Sequence, residues 1–273
     1  MERAFFTRAP NDGELLSLRR FLATYRDGSG GQREADGSSR ADSRQIERCL
    51  AELLYGRTTE NKSFYDFVIE SNESGGIAVR GASIKSKQLE LDADSLEVGK
   101  AMRAHLEISN SNSKDWKLCA AHGLSQKDFG DAQHAETFGR LILARQVADR
   151  EQAEANYVAQ QDADVKRTFI TKESIFISVL YTSPRKKDGE RQWMVSAFPI
   201  NLPPPVKWEF RTERSLVGYD EEGGALYEWY GLSGSQFKYF PKLASRLHGT
   251  GLFTLPKPAV ETLRAKSSKM FEG

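Results

Sequence analysis

Apolar residues in this chain recur at two spacings, every third or fourth position and every second, and the changes of spacing divide it into elements. Leu15, Leu16, Leu18, Phe21 and Leu22 predict a first helix that is capped at Asp12 and runs to about Arg26. Ile46, Leu50, Leu53 and Leu54 form the stripe of a second helix, about Arg44 to Tyr55, with Gly56 as its stop. Between them, Asp27 to Ser43 holds almost nothing apolar, so burial cannot offset its ordering entropy and a flexible loop is expected. Ser95 to about Ile108 reads as a helix, and Asn110 to Asp115 as a polar loop. Ser125 and Asp128 have the spacing of a capping box and open a long helix through Phe138, Ile142 and Val147 to about Val165. From Asp149 onward that helix is rich in Ala, Gln and Glu, which predicts a segment that projects or lines a partner.

The alternating stretches are of another kind. Phe64 to Glu70, a turn at Asn72 to Gly76, and Ile77 to Leu89 predict a β-hairpin. After Glu173 strands dominate, with Ser174 to Thr182 and Arg191 to Ile200 joined by the basic, turn-rich Ser183 to Glu190. Pro203, Pro204 and Pro205 break the chain before two more strand-rich stretches, Lys207 to Tyr219 and Ala225 to Pro241, and a last helix spans about Ala259 to Met270. The fold expected is α/β, a central mixed β-sheet flanked by helices with a β-rich C-terminal portion. Residues 1–170 form the core, and residues 171–273 pack with it as one domain.

Within the hairpin, Asp66 lies in an apolar run where a strand core normally rejects a carboxylate, and Lys85 lies near the end of the second strand. Alternation points Asp66, Val68 and Glu70 one way and Tyr65, Phe67 and Ile69 the other, while Ile77, Val79, Gly81, Ser83, Lys85 and Lys87 share one face. If the strands pair across the Asn72 to Gly76 turn, the faces of Asp66 and Lys85 coincide, and a slip of one residue separates them. An acid beside a lysine can hold a divalent metal next to a cationic stabiliser, which suits phosphodiester hydrolysis. The alternative is a surface hairpin in which both are solvated or form a weak ion pair.

Composition narrows the setting. At 273 residues, with 39% hydrophobic and 28% charged, the chain has the make-up of a soluble globular protein, with no apolar run long enough for a bilayer and no secretory signal. Two cysteines, Cys49 and Cys119, argue against a disulfide framework and for the cytoplasm, and four scattered histidines give no zinc spacing. A net charge of +1 leaves room for a basic DNA-facing surface that cancels an acidic site. Phosphate-binding, dinucleotide-binding, nucleophile-elbow and zinc-protease motifs are absent from the sequence.

The stretch from about residue 44 to 89 resembles the PD-(D/E)xK nuclease superfamily, type II restriction endonucleases in particular. Asp66 matches the strand aspartate, Ser83, Ile84 and Lys85 match the tripeptide, and Glu47 or Glu52 matches the acid of the preceding helix. The chain departs at Tyr65, where the family often has proline, and at Ser83, where it has a second acid. The resemblance implies that Asp66 ligates Mg2+, that the Ile84 carbonyl adds an oxygen, and that Lys85 positions or helps deprotonate the attacking water. The missing acid comes from Glu97, preferred over Glu90 and Asp92 because it lies on the following helix, or else Ser83 marks a site whose acid has been replaced. Arg80 and Lys87 are expected on flanking phosphates. The activity implied is cleavage of double-stranded DNA at a short sequence by a homodimer, whose two-fold axis matches a palindrome.

Bases interleave with aromatics in the C-terminal strands, and Arg185, Lys187, Lys207, Arg211, Arg214, Ser233, Gln236 and Lys238 are the expected DNA contacts there. A sheet with aromatics in its core and charges outside has the same sequence pattern. Two rivals stand beside the nuclease: a catalytically inactive DNA-binding or regulatory protein with a nuclease-like core, and a scaffold in which the hairpin is incidental.

Overall fold

A computed structural model describes residues 2–24, 32–33, 39–40, 43–59, 64–89, 106–160, 165–182, 191–256 and 263–271. The first helix, α1 (Asp12–Ala23), is capped by Asn11 and not Asp12: the Asn11 side chain accepts the Glu14 N–H and the Glu14 carboxylate returns the bond to the Asn11 N–H. Two short strands, β1 (Gln32–Arg33) and β2 (Ser39–Arg40), pair within the stretch expected to be a loop, and its other residues lie outside those described. Helix α2 (Ser43–Leu53) ends where Tyr55 takes φ 53°, with the Gly56 N–H on the Ala51 carbonyl at 2.8 Å. Gly56 serves close packing instead of the left-handed turn, since a Cβ there would meet the Phe67 ring at 2.5 Å.

Strands β3 (Arg57–Thr58), β4 (Phe67–Glu73) and β5 (Gly76–Leu89) follow, the last two forming the expected antiparallel hairpin with Phe67 opposite Ala82 and Glu73 opposite Gly76. Strand β6 (Leu106–Ser109) occupies part of the predicted helix Ser95 to Ile108, whose remainder lies outside the described residues. Leu106 and Ile108 are buried and Glu107 and Ser109 half-buried, the alternation of a one-sided strand. The loop expected at Asn110 to Asp115 instead opens helix α3 (Asn112–Ala121). Ser125 and Asp128 do form a capping box, on a short 3-10 turn, and the long helix α4 (Ala135–Ala159) starts later and ends earlier than Asp128 to Val165.

The remaining strands are β7 (Arg167–Phe169), β8 (Ile175–Thr182), β9 (Gln192–Pro199), β10 (Lys207–Thr212), β11 (Ser215–Tyr219), β12 (Ala225–Tyr230), β13 (Gln236–Tyr239), β14 (His248–Gly249) and β15 (Phe253–Thr254), followed by helix α5 (Leu263–Phe271). Among the described residues they build two larger sheets. The central one runs β14-β9-β8-β5-β4-β3, with β15 on β9 and β7 on β5, and it is mixed because β5 is antiparallel to β4 but parallel to β8 and β7. The second is antiparallel, β10-β11-β12-β13-β6. The β-rich C-terminal part therefore supplies both sheets, and all eight residues of β8 are buried in the middle of the first.

Two apolar clusters fill the layers. Phe67, Ile69, Ala82, Ile84 and Ile177 face α1 and α2 on one side of the central sheet. Val68, Val79, Phe176 and Phe198 face the other side, with Phe138 and Ile142 of α4 and Trp208, Tyr227, Trp229 and Phe237 of the second sheet. Cys49 and Cys119 are buried free thiols, one in each cluster. No helix among the described residues is long and apolar enough to cross a membrane.

Candidate active site

Strand β5 outruns its partner. The ladder with β4 ends at Phe67 and Ala82, while β5 continues to Leu89 along β8. At this fork the Asp66 N–H donates to the Ala82 carbonyl at 2.9 Å, one residue out of step with the ladder, so the chain bulges. The Ile84 N–H, left without a strand carbonyl on that side, donates to the Asp66 carboxylate at 2.5 Å. Both backbone groups of a strand residue point to the same neighbour, so the Ile84 carbonyl opens on this edge too.

The bulge corrects the expected alternation at Tyr65. Instead of joining Phe67 and Ile69, Tyr65 lies over Gly81 on the side of Val68 and Val79, and a Cβ at Gly81 would sit 2.2 Å from its ring. Its hydroxyl donates to Glu154 of α4 at 2.6 Å, and burial followed by that carboxylate pushes the phenol upward. Asp66 is thus tied through its neighbour to the long helix.

Lys85 is near enough for its charge to act on Asp66. Burial raises the Asp66 carboxyl above its ordinary range, against the opposing pull of the Lys85 ammonium, the Ile84 N–H and the Ser83 hydroxyl. Ser83 is 1% exposed and spends its hydroxyl on Asp66. Lys85 is half-buried and stands between two cavities. The smaller, 340 Å³, is lined by Glu47 of α2, Ile84, Lys85, Lys87 and Glu107 of β6. The larger, 850 Å³, lies between the start of the hairpin, β6 and the side of α4 that carries Gln146, Gln152 and Asn156.

Of the two helix acids, Glu47 lines the small cavity, whereas Glu52 is exposed and lines neither. Glu97, with Glu90 and Asp92, lies outside the described residues, as do Arg185 and Lys187. Arg80 is on the opposite face of β5 from Lys85 and is held by Glu173 at 2.7 Å, Ser71 at 2.8 Å and Glu73 at 2.8 Å, which removes it from the site. Lys87 is exposed beside Lys85, and Lys238 approaches it from the second sheet: burial and then the Lys87 charge lower the Lys238 ammonium, while Glu228 and Glu107 oppose them.

The other C-terminal candidates are engaged locally. Lys207 pairs with Glu209 at 2.9 Å and Arg211 with Glu228 at 3.7 Å. Arg214 and Ser233 are exposed in turns, and Gln236 is half-buried at the start of β13. The aromatics among them, Trp193, Trp208, Tyr227 and Trp229, are core. Glu107 escaped the sequence reading because it was placed on a helix, although the alternation Leu106, Glu107, Ile108, Ser109 carried the information.

Among the described residues no three acids, histidines or cysteines meet closely enough to hold a metal alone. Ile84 and Glu47 line the small cavity, while Asp66 lines neither cavity and takes the Ile84 N–H; oxygen donors of this kind suit an ion that keeps several waters and takes a phosphate oxygen as ligand, the habit of magnesium. The site is an acid held at electrostatic cost, a lysine beside it, and a polar cleft long enough for an extended substrate. No family model matches the chain, and neither the curated proteins nor the solved structures give a significant match.

Proposed function

We propose that this protein is a magnesium-dependent endodeoxyribonuclease of the type II restriction kind, hydrolysing both strands of duplex DNA at a short sequence as a cytoplasmic homodimer. One observation carries the reading: Asp66 and Lys85 interact at the fork of the central sheet, beside open cavities, where burial keeps the carboxyl raised. Perturbed acids beside a cleft concentrate at functional sites, where chemistry needs a carboxyl shifted from its ordinary range.

In this reading Asp66, the Ile84 carbonyl and Glu47 hold the magnesium ion, which would supply a polarised phosphate and a more acidic water. Lys85 orients the attacking water and stabilises the charge that builds on the phosphoryl oxygens. Ser83 and the Ile84 N–H keep Asp66 aimed, and Lys87 and Lys238 take flanking phosphates. A second reading, a catalytically inactive DNA-binding protein, is favoured by Ser83, which stands where a further acid would serve and is fully occupied by Asp66.

Plasmid DNA incubated with the purified protein separates the two. Cleavage that requires magnesium, is stopped by a chelator and is lost in Asp66→Ala and Lys85→Ala supports the nuclease. Salt-sensitive duplex binding without cutting supports the second reading, and absence of both removes each.

A further inference from the structure

The second half of α4 is fastened to the protein by hydrogen bonds rather than by apolar burial. Glu154 accepts from Tyr65 at 2.6 Å and from Thr171 at 2.7 Å, and Tyr157 donates to Glu70 at 3.1 Å, itself bonded to Arg167 at 2.9 Å. These contacts fix the inner side of the helix. On the adjoining side, which they share with Tyr157 and the buried Gln146, the exposed Gln152, Asn156 and Gln160 line the 850 Å³ cleft that Lys85 also lines.

A spacing of four sets the three side chains in one row. Its ends are about 12 Å apart at a rise of about 1.5 Å per residue, the length of roughly three to four base-pair steps of about 3.4 Å. Gln152 Nε2 donates to Asn156 Oδ1 at 2.8 Å, so two of the amides orient each other before any ligand arrives. Gln152 keeps its oxygen and one N–H for a ligand, and Asn156 keeps both N–H groups and the second lone pair of its oxygen. The acid of the same wall, Asp149, is bonded to Arg145 and lies 3.6 Å from Lys114, which offsets its repulsion of a polyanion.

Neutral amides in a row add nothing to phosphate attraction. Each does offer a donor and an acceptor side by side, the pattern that matches N6 and N7 of adenine. We propose that Gln152, Asn156 and Gln160 read base pairs of the duplex next to the cut, adenine being the base their amides take. The proposal rests on the nuclease reading and gives it a specificity surface on α4 instead of on the C-terminal strands.

The test digests a random-sequence duplex library with the parent protein and with Gln152→Ala, Asn156→Ala and Gln160→Ala, and sequences the ends. Expected is a relaxed preference at one or two adjacent positions per variant, with discrimination against the wrong base falling about 10- to 100-fold. Unchanged base preferences in all three variants, whether at full or uniformly reduced rate, overturn the proposal and leave the nuclease standing. A parent that cuts no member of the library overturns the nuclease reading. Selection by binding from the same library then decides the amide row: base preferences that relax in the variants support it, and binding without preference overturns it.

Discussion

Both sheets pair charges, as Arg80 with Glu73 and Glu173 in the central one, but one carboxyl beside the central sheet stands apart. In the antiparallel sheet, acids stand near the cations: Glu209 for Lys207, Glu228 for Arg211 and, at its border, Asp220 and Glu222 for Lys242. At the fork of the central sheet the Asp66 carboxyl is half-buried, and its loss of water keeps it raised even with Lys85, Ser83 and the Ile84 N–H around it. Charges that serve a fold are settled by their neighbours, whereas a charge kept unsettled is available to a ligand. The antiparallel sheet is for this reason the weaker candidate for chemistry.

The comparison breaks first at Lys85. Lys85→Ala is expected to lower single-turnover DNA cleavage by roughly 10²- to 10⁴-fold while leaving duplex binding within a few-fold, and equal cleavage would place the chemistry elsewhere. Next comes the Arg145 guanidinium, which bonds the buried Asp115 and also Asp149 and Ser109. Arg145→Ala leaves the Asp115 charge buried and uncompensated and should cost about 3–5 kcal/mol, read as a large drop in the urea midpoint; a loss within error would mean that the pair contributes nothing.

A pH series sharpens the contrast at Asp66. Its folded carboxyl is raised above the unfolded value, so the native state binds the extra proton, and stability falls as pH rises from the ordinary carboxylate range through the folded value. Asp66→Asn should therefore melt higher than the parent at neutral pH without metal, and the gap should close on acidification below the ordinary range. A gap that widens on acidification would reverse the assignment. The smallest effect is expected at Lys207: its exposed pair with Glu209 predicts a change within about 1 kcal/mol for Lys207→Ala, with the salt slope of DNA binding unaltered. A slope reduced by about one unit would return the C-terminal sheet to the interface.

The hairpin was legible because alternation and a glycine turn fix the register of β4 on β5, whereas the bulge that sets Asp66 against the Ile84 N–H was not. What lay beyond the sequence was of longer range. Only the pairing of β10 to β13 reveals that Arg211 sits beside Glu228. The bulge at Asp66 depends on Gly81 giving room to the Tyr65 ring, a contact between strands. Asp115 looked like a loop residue because its partner, Arg145, is on another helix. The low apolar content after Asp149 correctly set that half of α4 apart, but the hydrogen bonds of Glu154 and Tyr157 that seat it could not be read from spacing.

Strand β8 fills the gap beside β5 in parallel, with Ala82 against Ile175 and Lys85 against Ser178. A ribosome must therefore deliver well over half the polypeptide before the ledge that carries Lys85 has its inner support. Such distant pairing favours slow maturation. Unfinished fragments expose a bare, sticky margin and are handed to chaperones or proteases. On the nuclease reading, late completion leaves partial products of translation without a working site.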